Sequence, residues 1–352
     1  MPELPEVEVV RRGLAPHVDG RVITRVDVHE PRSLRRQIGG PDAFVQAVTG
    51  ARVARLERRG KFLWWRLQDE RGDELGEALM THLGMSGQMR VRGGAPEAED
   101  GGEADAGTVA PSAPAPRGEG PASDPHRHRR IVLHLDDGAQ VDFVDQRIFG
   151  GLWTSALEQD ADGLPATPDS IDDLLPADVV GIGRDLLDPA QDREAVIAVM
   201  RARRAPIKAL LLDQSLVSGI GNIYADEGLW AARTRFDAPG ESLTRGRARR
   251  VLDGAEAVMR RALDVGGTSF DDLYVNVDGR SGYLDIDVER VEGSRAHEGR
   301  DCLCRASAMR RQAILRSDLA RRALDKQLNG PAHLVAHRHK VGSRSLRGVA
   351  CA

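Results

Sequence analysis

The chain has 352 residues, 41% of them hydrophobic, and a formal net charge of −4. This length accommodates about two domains with their own cores. No apolar run is long enough to cross a membrane and no apolar signal segment stands at the start, so we expect a cytoplasmic protein. The three cysteines, Cys302, Cys304 and Cys351, do not make a disulfide framework, which excludes a disulfide-rich secreted class and fits a reducing compartment.

The charge is distributed unevenly along the chain. Residues 92–125 hold seven acids against two bases, a net −5 that leaves +1 for all other residues together. From Arg290 onward, fourteen Lys and Arg face five Asp and Glu. A basic C-terminal region can attract phosphates, but a charge run is more often a solvated surface. The total charge therefore neither supports nor excludes a nucleic-acid partner.

The first predicted element is a helix in "MPELPEVEVVRRGL". Proline suits the first turn of a helix because its missing N–H would be unpaired there, and carboxylates near that end complement the helix dipole. Taken alone, Pro2, Glu3 and Glu6 indicate an ordinary helix start.

Strands are predicted next, from short or alternating apolar runs bounded by turns. These runs are "RVITRVDVHE", "ARVARLERRGKFLWWRLQ", "ALMTHLGMSGQMRVR", "RIVLHLDDGAQVDFVD" and "GGLWTS", with "LDDGAQV" as a hairpin signal. Between the third and fourth runs, residues 92–125 are rich in Gly, Pro, Ala and acids, and we expect a disordered acidic insertion. Residues 1–155 thus predict one helix followed by a β-sandwich or barrel.

The apolar period becomes helical after a Pro/Asp-rich joint near 160–178. Four segments carry apolar residues at three- and four-residue spacing: "DREAVIAVMRARR", "APIKALLLDQSLV", "NIYADEGLWAARTRF" and "SLTRGRARRVLDGAEAVMRRALDVG". Beyond the turn-rich "NVDGRSGY" the chain is polar and arginine-rich, with no assignable period.

The segment "SGIGNIYADEGLW" joins two of these helical segments through Gly219 and Gly221 and opens the second at Asn222. Glycines allow close approach of the backbone, and free N–H groups at a helix N-terminus attract a phosphate. An ordinary tight turn between packed helices is the alternative.

Three further turns carry chemically interesting side chains. "RRGKFLWW" places Lys61 at the head of an apolar strand, "THLGMSG" frames His82 and Met85, and "DQRIFGG" frames Arg147 and Phe149. Such residues are usually a snorkelling lysine and parts of the core. An exposed Met, Phe and Arg on stiff turns are also the types that wedge into a base stack.

Together, the motifs "PELPEVEVVRRGL", "RRGKFL", "THLGMSG", "DQRIFGG", "PIKALLLDQSLVSGIGNIYADEGL" and "GGTSFDDLYVNVDGRSGY" resemble the formamidopyrimidine-DNA glycosylases, the Fpg (MutM) branch of the Fpg/Nei family. The resemblance covers residues 1–91 and about 126–283. "PELPE" is similar to the Fpg branch, whereas Nei enzymes usually begin "PEGPE". The implied fold is α+β, with an N-terminal helix and two-sheet β-sandwich, then a helix-two-turns-helix domain and a C-terminal hairpin.

The resemblance also implies a domain order. We expect a catalytic β-sandwich domain at 1–155, a linker at 156–178, a DNA-binding helix-two-turns-helix domain at 179–283, a degenerate zinc-finger-like hairpin at 284–325 and a tail at 326–352.

The implied activity is that of a bifunctional DNA glycosylase and abasic-site lyase of base excision repair, which removes 8-oxoguanine and formamidopyrimidines and cuts by β,δ-elimination. The initiator Met would be removed, so that Pro2 presents a nucleophilic secondary amine that forms a Schiff base. Glu3 would act as general acid, Glu6 would orient the site, and Lys61 would contact phosphate and donate a proton. The expected partner is double-stranded DNA with oxidised bases or abasic sites. We expect the protein to bind it as a monomer and expect no membrane partner.

The resemblance assigns the remaining site residues as follows. The DNA-binding set is His82, Met85, His126, Arg147, Phe149, Arg203, Lys208 and Asn222, in which Met85, Arg147 and Phe149 fill the gap left by the flipped base and Lys208 lies near the lesion pocket. Thr268 and Ser269 belong to the loop that covers the everted base. Arg316 is the candidate for the finger arginine and is grouped with the catalytic residues.

The sequence departs from the family at three places, one of which is the acidic insertion at 92–125. The family's zinc finger has the form C-x2-C…C-x2-C, which suits tetrahedral Zn²⁺, whereas here Cys302 and Cys304 are separated by one residue and no second pair follows. Zn²⁺ is therefore implied by the family but poorly supported by these cysteines, and no organic cofactor is expected. Ile148 also stands where the family has a basic residue.

Two alternatives remain open from the sequence. One is a Nei-like glycosylase for oxidised pyrimidines. The other is a non-catalytic protein that binds damaged DNA, although such a protein has no need of an N-terminal amine.

Overall fold

The fold is described from a computed structural model, which covers residues 2–93 and 127–267. Six α-helices are found in these ranges: α1 (Leu4–Val18), α2 (Gly40–Val48), α3 (Arg193–Ala202), α4 (Ile207–Leu211), α5 (Asn222–Ala231) and α6 (Arg245–Asp264). The strands are β1 (Ile23–Val28), β2 (Arg52–Arg59), β3 (Phe62–Gln68), β4 (Glu74–His82), β5 (Gly87–Arg92), β6 (Arg129–Leu135), β7 (Gln140–Asp145), β8 (Gly151–Gln159) and β9 (Leu174–Pro176).

The strands form two antiparallel sheets in the order β1-β6-β7-β5 and β2-β3-β4-β8-β9. Strand β3 shows how the sequence builds them, because successive side chains of a strand point to opposite faces. Leu63, Trp65 and Leu67 enter the core shared by the two sheets, whereas Trp64 lies in a second cluster with Met80. The predicted two-sheet sandwich is confirmed, and so is the α+β class.

The structure adds two elements to the sequence-based prediction. Helix α2 is a second helix within residues 1–155; it has only nine residues, and it contributes Phe44 and Val48, one turn apart, to the core. So short a helix offers little periodicity to detect. Strand β9 lies in the segment 156–178 and pairs with the end of β8, so that part of this segment belongs to the five-stranded sheet.

Helices α3 to α6 surround a separate apolar core that includes Ile197, Leu211, Tyr224 and Leu252. The first residue of α1, Leu4, is fully buried in this helical core, whereas Val7 and Val10 of the same helix enter the core of the sandwich. The start of α1 is therefore anchored to the helical part of the molecule. This anchoring fixes the residues that precede Leu4.

Candidate active site

The candidate site is built around the start of α1. Pro2, Glu3 and Glu6 are all buried there. The Glu3 backbone N–H donates to Glu6 Oε2 at 2.9 Å, and the hydroxyl of Tyr224 donates to Glu6 Oε1 at 3.0 Å. Glu6 is thus held by the Glu3 backbone and by Tyr224 of α5, and it fixes the backbone of the residue next to Pro2.

The carboxylate of Glu3 reaches the start of α5, 218 residues further along the chain. It accepts hydrogen bonds from the N–H groups of Gly221 at 2.6 Å, Ile223 at 3.0 Å and Tyr224 at 3.4 Å. Anions are stabilised at a helix N-terminus by its unpaired N–H groups and its dipole. The sequence left two interpretations of this segment open, a phosphate site and an ordinary tight turn. These three N–H groups donate instead to a carboxylate of the chain itself.

The glycines of "SGIGN" make this contact possible. Gly219 has a φ of +86°, in the left-handed region that favours glycine, and its carbonyl accepts a hydrogen bond from the Leu4 N–H at 3.1 Å. A Cβ on Gly221 would overlap the carboxylate of Glu3. The two glycines therefore serve the approach of α1 to α5.

Burial raises the pKa of Glu3. The Lys61 ammonium and the N–H donors of Gly221 and Ile223 act in the opposite direction but do not outweigh the loss of water. Glu3 consequently keeps a proton to a higher pH than an ordinary glutamate. A buried acid of this kind is suited to donate a proton to a leaving group.

Lys61 lies at the turn between β2 and β3, half-buried, and its Nζ donates to the carbonyl of Ile220 at 2.9 Å. Burial lowers its pKa, against the attraction of the Glu3 and Glu6 carboxylates. The side chain does not follow the ordinary pattern of a lysine that snorkels into water at a strand end. It brings a cation, and a proton donor, to the same place as Glu3.

The turns that carry His82, Met85, Arg147 and Phe149 lie at adjoining ends of β4, β5, β7 and β8. Phe149 is 47% exposed. Burial, together with the charges of Arg36, Lys61 and Arg35, lowers the pKa of His82 to about 4. Its Nδ1 accepts from the Gly84 N–H at 3.2 Å, so the imidazole is neutral at pH 7 with its proton on Nε2.

The remaining predicted residues are placed on the helical part. Arg203 pairs with Asp213 at 2.7 Å and Lys208 pairs with Asp226 at 2.7 Å. Asn222 is exposed at the start of α5. The predicted residues that lie outside the described parts of the chain are His126, Thr268, Ser269, Cys302, Cys304 and Arg316.

Some site residues were missed by sequence reasoning. Tyr224 stands inside the quoted motif "NIYADEG" but was not singled out, because a tyrosine two residues into a helix is most often part of a core. Arg35 and Asp145 bind the turn of Phe149. Asp145 is the first residue of the quoted motif "DQRIFGG" but was not singled out, and Arg35 lies outside the quoted motifs. Within residues 2–93 and 127–267, no group of His, Cys, Asp or Glu side chains forms a metal site. In those same ranges no helix has the length and apolar character needed to cross a membrane.

Comparison with known proteins identifies the family. Residues 1–152 match the formamidopyrimidine-DNA glycosylase N-terminal domain, and residues 182–273 match the formamidopyrimidine-DNA glycosylase H2TH domain. The formamidopyrimidine-DNA glycosylase of Mycobacterium ulcerans is 43% identical over 319 residues, which cover 90% of this chain and 94% of that protein. The protein of the same name from Nocardia farcinica is 47% identical over 290 residues, which cover 81% and 85%.

Solved structures agree with this result. The MutM (Fpg) protein from Thermus thermophilus matches with a TM-score of 0.57 at 29% identity, over 80% of this chain and 84% of that one. Lactococcus lactis Fpg in complex with DNA containing an abasic site matches with a TM-score of 0.56 at 25% identity, over the same shares. The chain therefore belongs to the formamidopyrimidine-DNA glycosylase family, as its motifs predict.

Proposed function

We propose that the protein is a bifunctional DNA glycosylase and abasic-site lyase of base excision repair, which excises oxidised purines such as 8-oxoguanine and formamidopyrimidines from double-stranded DNA. The observation that carries the proposal is the buried Glu3 carboxyl. It lies next to Pro2 in the chain, accepts hydrogen bonds from three N–H groups at the start of α5, and is close enough to Lys61 for the ammonium to act on its pKa. The Glu3 carboxyl and the Lys61 ammonium thus lie beside Pro2, whose nitrogen becomes the terminal amine once the initiator Met is removed.

Pro2 is the proposed nucleophile. Once the initiator Met is removed, its secondary amine has a pKa near ~8, and a helix N-terminus lowers such a value further because the dipole disfavours a positive charge. The neutral amine attacks C1′ of the damaged nucleoside, and the bond from C1′ to the base breaks. Loss of the amine proton and opening of the C1′–O4′ bond then leave a cationic iminium.

Glu3 is the proposed general acid for this first step. Its raised pKa lets it hold a proton that it gives to the leaving base or to O4′ of the opening sugar. Glu6 does not touch the substrate in this scheme. Its bonds to the Glu3 N–H and to Tyr224 orient the backbone beside Pro2.

The lyase step follows from the iminium. The iminium withdraws electrons from C2′, whose proton is lost, and the bond from C3′ to its phosphate oxygen breaks in β-elimination. The C4′ proton, made acidic by conjugation through the new C2′=C3′ double bond to the iminium, is then lost, and the bond from C5′ to its phosphate oxygen breaks in δ-elimination, so both flanking phosphates are released. Lys61, with its lowered pKa, contacts a phosphate and returns a proton during elimination.

The turns near the site are proposed to hold the DNA open. An enzyme that acts on a base must take it out of the stack, and inserted side chains fill the vacancy. We assign this role to Met85, Arg147 and Phe149, and we assign contacts to the DNA backbone or the gap to His82, His126, Arg203 and Asn222. Lys208 is placed near the lesion pocket, and Thr268 and Ser269 in the loop over the everted base.

The C-terminal cysteines do not fit a four-cysteine zinc site. Cys302 and Cys304 stand closer in sequence than the C-x2-C pairs of such sites, and Cys351 is the one other cysteine of the chain. The proposed chemistry at Pro2, Glu3 and Lys61 uses no metal. We also propose that Arg316 is the finger arginine, that the domains have the bounds given above, and that the protein acts as a cytoplasmic monomer.

A strand-cleavage assay tests the proposed function. An end-labelled duplex with one 8-oxoguanine opposite cytosine is expected to be cut at the lesion to leave phosphates on both sides, whereas the matched guanine duplex stays intact. A duplex with an oxidised pyrimidine is the second substrate. Cleavage of the pyrimidine lesion alone would favour the Nei-like alternative, and binding without cleavage of either would favour the non-catalytic one.

A Gly221→Ala substitution is expected to lower base excision by roughly a hundredfold, the order of loss caused by a misplacement of about 1 Å. The new Cβ would overlap the Glu3 carboxylate and displace it. Gly76→Ala is the matched control, because Gly76 has no atom within 4 Å of a built Cβ. Single-turnover excision on the 8-oxoguanine duplex measures both; equal rates for the two variants would show that the position of Glu3 does not matter.

A further inference from the structure

The turn that presents Phe149 has an unfavourable backbone. Ile148 has a φ of +56°, in the left-handed region, where a β-branched residue is a genuine outlier. The next residue, Phe149, is 47% exposed. A strained turn with a large exposed side chain persists only when its surroundings hold it in place.

Arg35 supplies one side of this support. Its guanidinium donates to three consecutive carbonyls of the turn, at 3.0 Å to Ile148, 2.6 Å to Phe149 and 3.0 Å to Gly150. Arginine can do this because its N–H donors lie in one rigid plane, whereas a lysine has a single compact ammonium. The guanidinium therefore holds the backbone of the strained turn across its full length.

Asp145 supplies the other side. It is fully buried, and its carboxylate accepts from the N–H groups of Arg147 at 3.0 Å and Gly150 at 2.8 Å. It also accepts from the Ser86 hydroxyl at 2.6 Å, which ties the turn to the residue after Met85. The carbonyls of the turn are thus held by Arg35 and its N–H groups by Asp145.

The neighbouring arginines do not share this role. Arg36 lies over the ring of Trp153, with 4.6 Å from Cζ to the ring centroid. The side chain of Arg32 is 73% exposed and pairs with Glu30. Of the three arginines that follow Pro31, Arg35 is the one whose guanidinium binds the carbonyls of the Phe149 turn in the described structure.

We propose that Arg35 is a positioning residue that fixes the turn of Phe149, and that it thereby controls insertion of this side chain into the DNA when the damaged base leaves the stack. The proposal rests on the proposed function, in which Phe149 fills the gap. Arg35 acts through hydrogen-bond geometry in this account and not through its charge.

The first test separates geometry from charge. Arg35→Lys keeps the charge but loses the planar set of donors, and we expect at least a tenfold slower excision of 8-oxoguanine from duplex DNA. Cleavage at a preformed abasic site, where no base has to be unstacked, should change less than threefold. Arg32→Lys is the matched control and should behave as wild type. Wild-type excision by Arg35→Lys would overturn the proposal, because it would mean that any cation suffices.

The second test asks whether Arg35 acts through Phe149. The double variant Arg35→Ala/Phe149→Ala should excise 8-oxoguanine within twofold of Phe149→Ala alone, since a support has no effect once the supported side chain is gone. Multiplied losses would overturn the proposal. A 2-aminopurine next to the lesion reports the insertion itself, and its fluorescence change should be slower in Arg35→Lys than in Arg32→Lys.

A third measurement needs no DNA, so it distinguishes this proposal from the proposed function. Amide hydrogen exchange of the peptide that covers 145–151 should be faster in Arg35→Lys than in Arg32→Lys, because the N–H groups of Arg147 and Gly150 open more often. Unchanged exchange would overturn the role of Arg35. An inactive wild-type protein would overturn the proposed function and, with it, the role of Arg35 in DNA insertion, whereas the exchange experiment would still decide whether Arg35 supports the turn.

Discussion

A Glu3→Gln variant is expected to lose roughly 10²- to 10⁴-fold in the rate of base excision, the range that general acid catalysis supplies. The amide has almost the size of the acid but has no proton of suitable acidity to give. Cleavage at a preformed abasic site should fall much less, because no base has to leave there. Single-turnover assays on an 8-oxoguanine duplex and on an abasic duplex measure the two losses separately.

The pH dependence of excision should have the same origin. Because burial raises the pKa of Glu3, the wild-type rate should decline as the pH rises through that value, and the residual rate of Glu3→Gln should lack this decline. Glu77→Gln is the matched control, since Glu77 is an exposed glutamate on β4. An equal loss of rate by Glu3→Gln on the 8-oxoguanine duplex and on the abasic duplex would show that Glu3 serves the structure or the lyase step and not base excision.

The second large effect concerns the stability of the fold. Arg58 is buried between Glu8 of α1, at 2.9 Å, and Asp185, at 2.8 Å. Arg58→Ala leaves two buried carboxylates without their shared cation, and the loss of one partner from such a network costs about 3–5 kcal/mol. Urea unfolding of the variant and the wild type measures this difference in the free energy of unfolding.

Arg12 provides a matched control for Arg58, because both pair with Glu8. Arg12 lies 2.8 Å from that carboxylate, but its side chain is 61% exposed. Exposed ion pairs contribute about 0–1 kcal/mol, so Arg12→Ala should be nearly neutral. Equal losses for the two variants would show that burial is not what gives Arg58 its importance.

Lowering the pH should reduce the difference in the free energy of unfolding between Arg58→Ala and the wild type. Burial raises the pKa of Glu8, but the hydrogen bonds and charges of Arg11, Arg58 and Arg12 outweigh it and lower the pKa to about 2. A carboxyl with a lowered pKa stabilises the fold above its unfolded pKa of ~4.3, and this contribution is lost as the pH falls towards 2. Arg58→Ala has already lost much of this contribution. The difference in the free energy of unfolding between Arg58→Ala and the wild type should therefore become smaller over that pH range.

The sequence was most informative where one local pattern decides the structure. The short apolar run "FLWWRLQ", bounded by turns, predicted a strand, and β3 covers those residues. The order of the motifs was specific enough to predict the family, the sandwich and the helical part together. Pro2, Glu3, Glu6 and Lys61 were singled out by their motifs. The structure brings the side chains of Glu3, Glu6 and Lys61 close together, so that the carboxylates act on the pKa of Lys61 and the ammonium acts on the pKa of Glu3.

Long-range polar contacts could not be predicted in this way. Arg58 and Arg59 end strand β2, and arginine is mostly exposed in proteins, yet both side chains are buried here. The partners of Arg58 lie 50 and 127 residues away. The start of α5 was interpreted as either a phosphate site or an ordinary tight turn, because no local pattern shows that the Glu3 carboxylate lies there. Such contacts depend on how the β-sandwich packs against the helical part, which no local sequence pattern specifies.

The measurement that tests the central claim most directly is borohydride trapping of the protein on a duplex with one 8-oxoguanine opposite cytosine, followed by mass mapping of the cross-linked peptide. Borohydride reduces the iminium to a stable amine, so the proposed mechanism predicts one covalent adduct on the Pro2 nitrogen. An adduct on a lysine would contradict it, and so would the absence of an adduct from protein whose N-terminus is confirmed as free proline.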